Sequence, residues 1–347
     1  MRSVRLARPV LSALSALSAL AALAGLAGLL ALGGCGAPID DPHSRVPTAP
    51  TGSAALPTLA GGAAPAGPLA VTHGGAGAPP EWSPGCQAAA EKALAALRGG
   101  AAALDGAVAG TMVMEDDPRF NAGTGANIRL DGRTIQMDAA VMTSEGRFGA
   151  VAVIEHVRNP VAVARAMLDT PHLLLAGEGA TRFARAAGFA DVTPRCDKAE
   201  ADYQRRIASL LAGQDETFGR FDWRRYWNFP NPIPPELGGG EAGGGAEAPD
   251  HRPGDTVGTV ARDAQGRFAA TLSTGGTSLT LYGRVGDVPI YGAGLFAGPA
   301  GAVACTGWGE AIIRRAAARA AYALLEQGVP AREAARQVCA RFKPEEG

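Results

Sequence analysis

The chain has 347 residues and a formal net charge of −1. This length can bury the core of one large domain or two small ones, and the near-neutral charge argues against a nucleic-acid-binding protein. The five cysteines are scattered and form no CxxC pair, which argues against a zinc or redox motif.

The N-terminal segment predicts export. Three arginines within the first eight residues precede an apolar stretch at residues 9–32, the pattern of a secretory signal. The stretch ends in Leu-Gly-Gly-Cys, which resembles a bacterial lipobox and predicts a lipid on Cys35. A transmembrane anchor is the alternative, because the stretch is long enough. We expect a signal peptide at residues 1–34, a flexible tether at residues 35–67, and a lipoprotein held at a membrane, in the periplasm or on the cell surface.

The first half of the domain mixes strand and helix patterns. Predicted strands lie at residues 68–72, 128–130, 134–137, 148–154 and 172–176, and predicted helices at 83–98, 101–114, 159–169, 178–187 and 197–211. Ser83 and Asn159 are the expected helix N-caps. The strands around the Asp131-Gly132 turn form a predicted hairpin. This order favours an antiparallel sheet layered with helices over a doubly wound sheet.

Residues 213–255 predict a linker with a flexible tail. An aromatic and basic cluster at residues 218–227 is followed by prolines and a glycine run. The cluster could bind a partner, although such a patch more often docks a linker onto its own domain. Beyond the linker, strands are predicted at 257–262, 267–273 and 289–291, then a long alanine-rich helix ending at Gln327, and a last helix at 331–341.

Several common catalytic motifs are absent from the sequence. No Gly-x-Ser-x-Gly elbow, HExxH motif or EF-hand loop occurs, and the five histidines lack metal-ligand spacing. The glycine-rich stretch at residues 73–77 fits neither of the common phosphate-binding patterns, so close backbone approach is its expected role. We expect no cofactor for the chemistry.

The segment Gly254-Asp255-Thr256-Val257-Gly258 opens a strand directly after the linker. A threonine at a free N-terminus carries its own base, because its α-amino group titrates at about 7.7–8.0. Cutting the bond between Asp255 and Thr256 would create that nucleophile. Gly-Asp-Thr is also a common turn sequence, so the hypothesis depends on the polar residues that follow.

Polar residues at strand ends and glycine-flanked turns follow Thr256 within fifty residues. Arg284 and Asp287 could hold the carboxylate and the ammonium group of a zwitterion, although a surface salt bridge is the simpler alternative. The Thr306-Gly307 pair precedes a helix and offers a hydroxyl and N–H groups to an oxyanion.

Eight motifs give the chain a family resemblance over residues 68–341. It resembles the plant-type asparaginases, also called isoaspartyl peptidases, which are N-terminal nucleophile hydrolases. The motifs are HGGAG (73–77), FNAGTGA (120–126), MDAAVM (137–142), DTVGTVA (255–261), STGG (273–276), GRVGD (283–287), GAG (292–294) and TGWGE (306–310). The resemblance implies an α+β fold, a four-layer αββα sandwich. It also implies self-cleavage into an α subunit (68–255) and a β subunit (256–347), assembled as a dimer of αβ units.

The resemblance also implies a role for each matching residue. The hydroxyl of Thr256 would attack the side-chain amide of asparagine or the isopeptide bond of a β-aspartyl dipeptide. The other roles are hydrogen bonding to the nucleophile (Thr274), binding the α-carboxylate (Arg284), binding the α-ammonium group (Asp287 and the Gly309 carbonyl), the oxyanion hole (Thr306 and Gly307) and orientation of the nucleophile (Asn121).

A structural sodium ion is implied as well. The loop at residues 114–124 matches one whose backbone carbonyls hold such an ion, and carbonyl oxygens suit a hard cation. The implied ligands are the carbonyls of Met114, Glu115, Asp117, Phe120, Ala122 and Thr124.

Two alternatives stay open. One is a glycosylasparaginase-like hydrolase, although STGG and TGWGE are more similar to the asparaginase branch. The other is an inactive lipoprotein that only binds, because family members usually continue past the last helix with a strand pair. We therefore expect the αββα sandwich to be short of its last C-terminal strands.

Overall fold

The structure is a computed structural model that describes residues 67–215, 221–238 and 256–343. The predicted signal peptide, Cys35, most of the tether and Asp255 lie outside these residues. The described residues belong to one compact unit, Ala63–Gly347. In the described ranges, no helix has the length and apolar character needed to cross a membrane.

Two β-sheets form the centre of the fold. The larger sheet has the order β1-β5-β6-β2-β3-β4, and the smaller one pairs β7 with β8. All neighbours are antiparallel except β3 and β4, which run parallel. The strands are β1 (Leu69–His73), β2 (Met137–Thr143), β3 (Phe148–Ile154), β4 (Leu174–Ala176), β5 (Val257–Arg262), β6 (Phe268–Thr274), β7 (Leu295–Gly298) and β8 (Gly301–Ala304).

Helices cover both outer faces of the paired sheets. The helices are α1 (Ser83–Arg98), α2 (Ala103–Asp116), α3 (Pro160–Ala166), α4 (Gly177–Ala186), α5 (Asp197–Leu211), α6 (Pro235–Gly238), α7 (Gly309–Arg315), α8 (Ala317–Glu326) and α9 (Ala331–Cys339). Helices α2 and α3 pack on the larger sheet, β7 and β8 pack on its other face, and α8 covers β7 and β8. The predicted α+β class and αββα layering are confirmed.

The middle of the larger sheet is buried because it lies between helices and a second sheet. All seven residues of β2 and all seven of β3 are buried. Three buried threonines inside this packing hydrogen bond to one another. Thr111 of α2 hydrogen bonds to Thr259 of β5 and Thr271 of β6 at 2.9 and 2.8 Å. This network fixes α2 across the two strands that carry the candidate site.

The predicted hairpin over residues 128–137 is wrong. The Asp131-Gly132 turn forms, but Asp131 accepts hydrogen bonds from the N–H groups of Arg133 and Thr134, and Leu130 donates to the Thr280 carbonyl. The segment is therefore irregular up to Met137, where β2 begins. One cross-turn bond forms, from the Arg129 N–H to the Thr134 carbonyl, but Leu130 pairs with the distant Thr280 and residues 128–136 form no strand ladder.

Other elements also depart from the prediction. Residues 289–291 form a turn, because Ile290 donates to the Asp287 carbonyl. The long helix ending near Gln327 is two helices, α7 and α8, separated by Ala316 at φ 44°. The predicted caps Ser83 and Asn159 make no side-chain capping bond; Ser83 already lies inside α1.

The described part of the linker packs onto the domain. Trp223 and Phe229 are buried within the main hydrophobic core, and Trp227 packs against that core. Asn228 exchanges hydrogen bonds with the backbone of Tyr282 in both directions. This region therefore contributes to the core next to the loop that carries Arg284.

A buried carboxyl predicts how stability depends on pH. The pKa of Glu115 is raised to about 8 because burial outweighs its favourable polar contacts, among them the Val161 N–H that donates to Oε1 at 2.9 Å. The folded state then holds this proton more tightly than the unfolded chain does, so the free energy of unfolding falls as pH rises from about 4.5 towards 8. We expect E115Q to flatten this fall in urea titrations at pH 5, 6.5 and 8.

The exposed Glu81 supplies the control for this measurement. E81Q makes the same substitution at an exposed position and is titrated with urea at the same three pH values. If the free energy of unfolding fell equally with pH in E115Q and in wild type, Glu115 would not titrate as its burial requires.

Candidate active site

One cleft at the end of β5 and β6 brings most of the predicted site residues together. Because Val257 pairs with Ser273, Thr256 and Thr274 lie at the same end of two adjacent strands. The cleft is lined by Thr256, Thr274, Gly276, Thr277, Arg284, Gly286, Asp287, Gly307 and Gly309. Six of the predicted residues are in this lining. Thr306 and Asn121 are not, and they contact it from outside.

Thr256 is the first described residue after the linker and is only 3% exposed. It precedes β5, an inner strand with β1 on one side and β6 on the other. His73 at the end of β1 pairs with Gly258, and its buried ring nitrogens lie against this strand. Burial lowers the pKa of His73 to about 4, outweighing a weaker, opposing interaction with the Thr256 backbone. A neutral imidazole therefore packs beside the threonine.

A threonine and two asparagines hold the end of β6. Thr274 accepts a hydrogen bond from the Gly276 N–H at 3.0 Å. Asn121 and Asn127 each donate to the Gly276 carbonyl at 2.8 Å. The Asn121 side chain also accepts from the Asn127 N–H. Asn121 thus fixes the backbone behind the cleft, and its partner Asn127 was not predicted from the sequence.

A Cβ atom on Gly275 would not fit in this arrangement. It would lie 2.5 Å from both Asn121 Oδ1 and the Asn127 nitrogen. The glycine after Thr274 therefore allows the asparagine pair to approach the strand end.

Arg284 is held from one side by Glu310. The guanidinium donates from Nε and Nη2 to the Glu310 carboxylate at 2.9–3.1 Å. Its Nη1 atom lies on the opposite side, where a Cβ on Gly286 would be only 2.9 Å away. One edge of the arginine is therefore oriented by a protein carboxylate, a contact that the sequence analysis did not predict.

Asp287 lies next to Arg284 and is 3% exposed. A Cβ on Gly309 would lie 3.0 Å from both Arg284 Nη2 and Asp287 Oδ1. A Cβ on Gly294 would likewise lie 2.9 Å from Asp287 Oδ2. Glycines therefore leave room for the opposite charges of Arg284 and Asp287 to face one cleft. The simpler alternative, a surface salt bridge, does not describe a carboxylate this buried.

Two buried charged residues, Asp138 and Arg129, hydrogen bond to the backbone of the loop that carries Arg284 and Asp287. Asp138 of β2 accepts from the N–H groups of Val153 and Gly286 at 2.8 and 3.3 Å. Arg129 donates to the Arg284 carbonyl at 3.1 Å. Burial raises the pKa of Asp138 and lowers that of Arg129 to about 10, while each charge partly offsets the shift of the other.

The sequence contained a signal for both buried residues. Asp138 is the one charged residue in a strand that is apolar up to Thr143, and Arg129 lies between Ile128 and Leu130. A charge inside an apolar run indicates either a bulge or a buried functional contact.

The residue predicted to share the oxyanion hole contacts the glycine-rich loop. Thr306 Oγ1 accepts a hydrogen bond from the Ala76 N–H at 3.0 Å. The next residue, Gly307, has φ 139° and lines the cleft. Residues 73–77 therefore approach the site closely, as their glycines predicted.

The loop at residues 114–124 is held together by hydrogen bonds to its own backbone carbonyls. The carbonyls of Asp117, Phe120 and Ala122 each accept one backbone N–H. A Cβ on Gly125 would lie 2.6 Å from the Pro118 carbonyl oxygen. Each carbonyl oxygen has a second lone pair, so the donor set suits a hard cation. In the described ranges, His, Cys, Asp and Glu side chains form no metal-binding cluster.

A four-layer αββα sandwich with a threonine at the start of an inner strand defines an N-terminal nucleophile hydrolase. The family model described as asparaginase matches residues 67–347. The protein belongs to the asparaginase family.

Curated relatives agree with this assignment. The chain is 36% identical over 272 residues to the plant-type L-asparaginase of Pyrococcus abyssi, covering 76% of this chain and 81% of the relative. It is 39% identical over 238 residues to the isoaspartyl peptidase of Salmonella typhimurium, covering 67% of each. It is 35% identical over 286 residues to the isoaspartyl peptidase/L-asparaginase of Danio rerio, covering 80% of this chain and 82% of the relative.

Proposed function

We propose that the protein is an amidohydrolase that cleaves L-asparagine, β-aspartyl dipeptides or both. The observation that carries the proposal is the cleft in which Thr256 faces a buried Asp287 and an oriented Arg284. Such a cleft suits a substrate that carries a carboxylate, an ammonium group and a short side chain ending in an amide. The names of the relatives support the same substrates.

The nucleophile would arise by cleavage between Asp255 and Thr256. In the cleaved protein the free α-amine of Thr256 takes the proton of its own hydroxyl, and Oγ1 attacks the amide carbonyl of the substrate. Thr274 accepts the Gly276 N–H, which leaves its own O–H for the nucleophile. The hydroxyl of Thr306 and the N–H of Gly307 stabilise the oxyanion.

The tetrahedral intermediate then collapses and breaks the C–N bond. The leaving nitrogen takes the proton from the α-amine and departs as ammonia, or as the amine of the second amino acid. Water, deprotonated by the same α-amine, attacks the β-aspartyl ester. The ester bond breaks, Thr256 regains its proton, and aspartate leaves. Arg284 holds the α-carboxylate throughout, while Asp287 and the Gly309 carbonyl hold the α-ammonium group.

A panel of three substrates tests this proposal. We expect ammonia from L-asparagine or free aspartate from a β-aspartyl dipeptide, with little turnover of the glycosylated asparagine. A preference for the glycosylated substrate would favour the glycosylasparaginase-like alternative, in which the cleft accepts a sugar. Binding of aspartate without turnover of any substrate would favour the inactive lipoprotein.

A structural sodium ion is a separate proposal. The carbonyls of residues 114–124 would hold it, as their free lone pairs and tight packing suggest. The ion would brace the loop that carries Asn121, and it takes no part in the chemistry. The melting temperature should be higher in sodium chloride than in tetramethylammonium chloride of equal ionic strength; equal values would argue against the site.

The place and assembly of the protein are proposed from the sequence. A lipid on Cys35 would hold the exported protein at a membrane, supported by the Leu-Gly-Gly-Cys ending at residues 32–35. C35A should then move the protein from the membrane fraction to the supernatant. The family resemblance supports a dimer of αβ units. Sedimentation equilibrium that gave the mass of a single αβ unit would contradict this proposal.

A further inference from the structure

The glycine-rich loop at residues 73–77 makes one specific contact that the proposed function leaves unused. The N–H of Ala76 donates to Thr306 Oγ1 at 3.0 Å, although the two residues are 230 positions apart. The side chain of Ala76 is exposed, so the backbone alone makes the contact. Within the described residues, Thr306 Oγ1 has no other hydrogen-bond partner.

The turn around Ala76 explains why this N–H is available. Ala78 donates to the Gly75 carbonyl at 3.3 Å, and Gly77 has φ 81°. A positive φ at the third residue of a four-residue turn is the pattern of a type II turn, with Ala76 in the second position. The turn hydrogen bond does not use the N–H at that position, so it is free to reach Thr306.

The chemistry of a hydroxyl group gives the contact a consequence. Oγ1 of threonine has one hydrogen to donate and two lone pairs to accept. When the Ala76 N–H occupies one lone pair, the O–H bond cannot point towards Ala76. Its hydrogen is then directed away from the Ala76 N–H and is left to donate elsewhere, and the next residue, Gly307, lines the cleft.

We propose that the Ala76 N–H is a positioning group that orients the Thr306 hydroxyl to donate to the oxyanion. The proposal rests on the proposed function and deepens it, because it gives the HGGAG loop a task in the same reaction. Ala76 is not among the residues that line the cleft. A preorganised donor stabilises developing charge without reorientation during the reaction, which is why the contact should affect the chemical step more than substrate binding.

Proline at position 76 tests the proposal with little change to the backbone. Proline lacks the N–H and is favoured at the second position of a type II turn. We expect A76P to lower kcat about tenfold with KM within twofold of wild type, and the mass of the cleaved subunits to be unchanged. A76G keeps the N–H and is the matched control, with kcat close to wild type.

A double-mutant cycle separates positioning from general damage. T306V removes the hydroxyl and keeps the shape of the side chain, so A76P should have no further effect on kcat in the T306V background. In the T306S background the hydroxyl remains, and the loss caused by A76P should return. A tenfold loss that persists in T306V, or an A76P enzyme as active as A76G, would overturn the proposal.

Replacing residue 76 with lactic acid provides a second route if A76P does not fold. The resulting backbone ester lacks the N–H and keeps the methyl group, and it should show the same loss of kcat; full activity would overturn the proposal. Failure of the proposed function is distinguishable, because wild type and A76G would then be inactive on every substrate of the panel.

Discussion

Replacing Thr256 with alanine is expected to leave the chain uncut and to abolish amide hydrolysis. Both steps require the same hydroxyl, first for the bond after Asp255 and then for the substrate. Loss of a catalytic nucleophile lowers kcat by about 10⁴-fold or more. Intact mass should give a single full-length chain for T256A, and ammonia release from asparagine should fall to the level of the buffer.

Two controls accompany T256A. T256S keeps a hydroxyl and should still cleave and hydrolyse, at lower rates. T259A removes another buried hydroxyl from β5, the strand that follows Thr256, and this hydroxyl hydrogen bonds to Thr111 of α2. We expect T259A to lower the melting temperature but to cleave normally. Hydrolysis that survives in T256A would exclude Thr256 as the nucleophile.

The second large effect is expected at Arg284. R284K keeps the charge but loses the planar fork that binds a carboxylate. A hydrogen bond to a charged group contributes about 1.5–3 kcal/mol, so KM for asparagine should rise about 10- to 100-fold. Cleavage at Asp255–Thr256 should continue, because it involves no substrate carboxylate. R147K, at an exposed arginine that donates to the Leu168 carbonyl, is the matched control.

Substrate analogues assign the two halves of the binding site separately. The compound 3-aminopropanamide lacks the α-carboxylate, so R284K should process it almost as well as wild type does. Succinamic acid lacks the α-ammonium group, so D287N and wild type should hydrolyse it at similar rates. If R284K lost as much on 3-aminopropanamide as on asparagine, Arg284 would be a structural residue and not the carboxylate ligand.

Local patterns in the sequence predicted much of the fold. Strand β3 and helix α5 have the predicted bounds, because an apolar run and an amphipathic pattern each specify one element. The segment at residues 128–137 was mispredicted because only one cross-turn bond forms, from Arg129 to Thr134, while Leu130 donates to the Thr280 carbonyl about 150 positions away. Periodicity carries no information on such partners.

The residues of the candidate site also fall into two groups, those that sequence motifs predicted and those that only the tertiary contacts reveal. The order of the motifs predicted four site residues, Thr256, Thr274, Arg284 and Asp287. The structure places all four around one cleft. The contacts that orient these groups, such as Glu310 on Arg284, are tertiary. No local pattern distinguishes a carboxylate that holds an arginine from one that faces solvent, and the three-dimensional packing decides it.

The intact mass of the purified wild-type protein, recorded after incubation under native conditions, tests the central claim most directly. The account predicts two fragments that meet between Asp255 and Thr256, which requires the nucleophile and the surrounding site to be assembled. N-terminal sequencing of the smaller fragment should then begin Thr-Val-Gly-Thr. A single uncut chain in a folded sample would contradict the account and favour a protein that binds without catalysis.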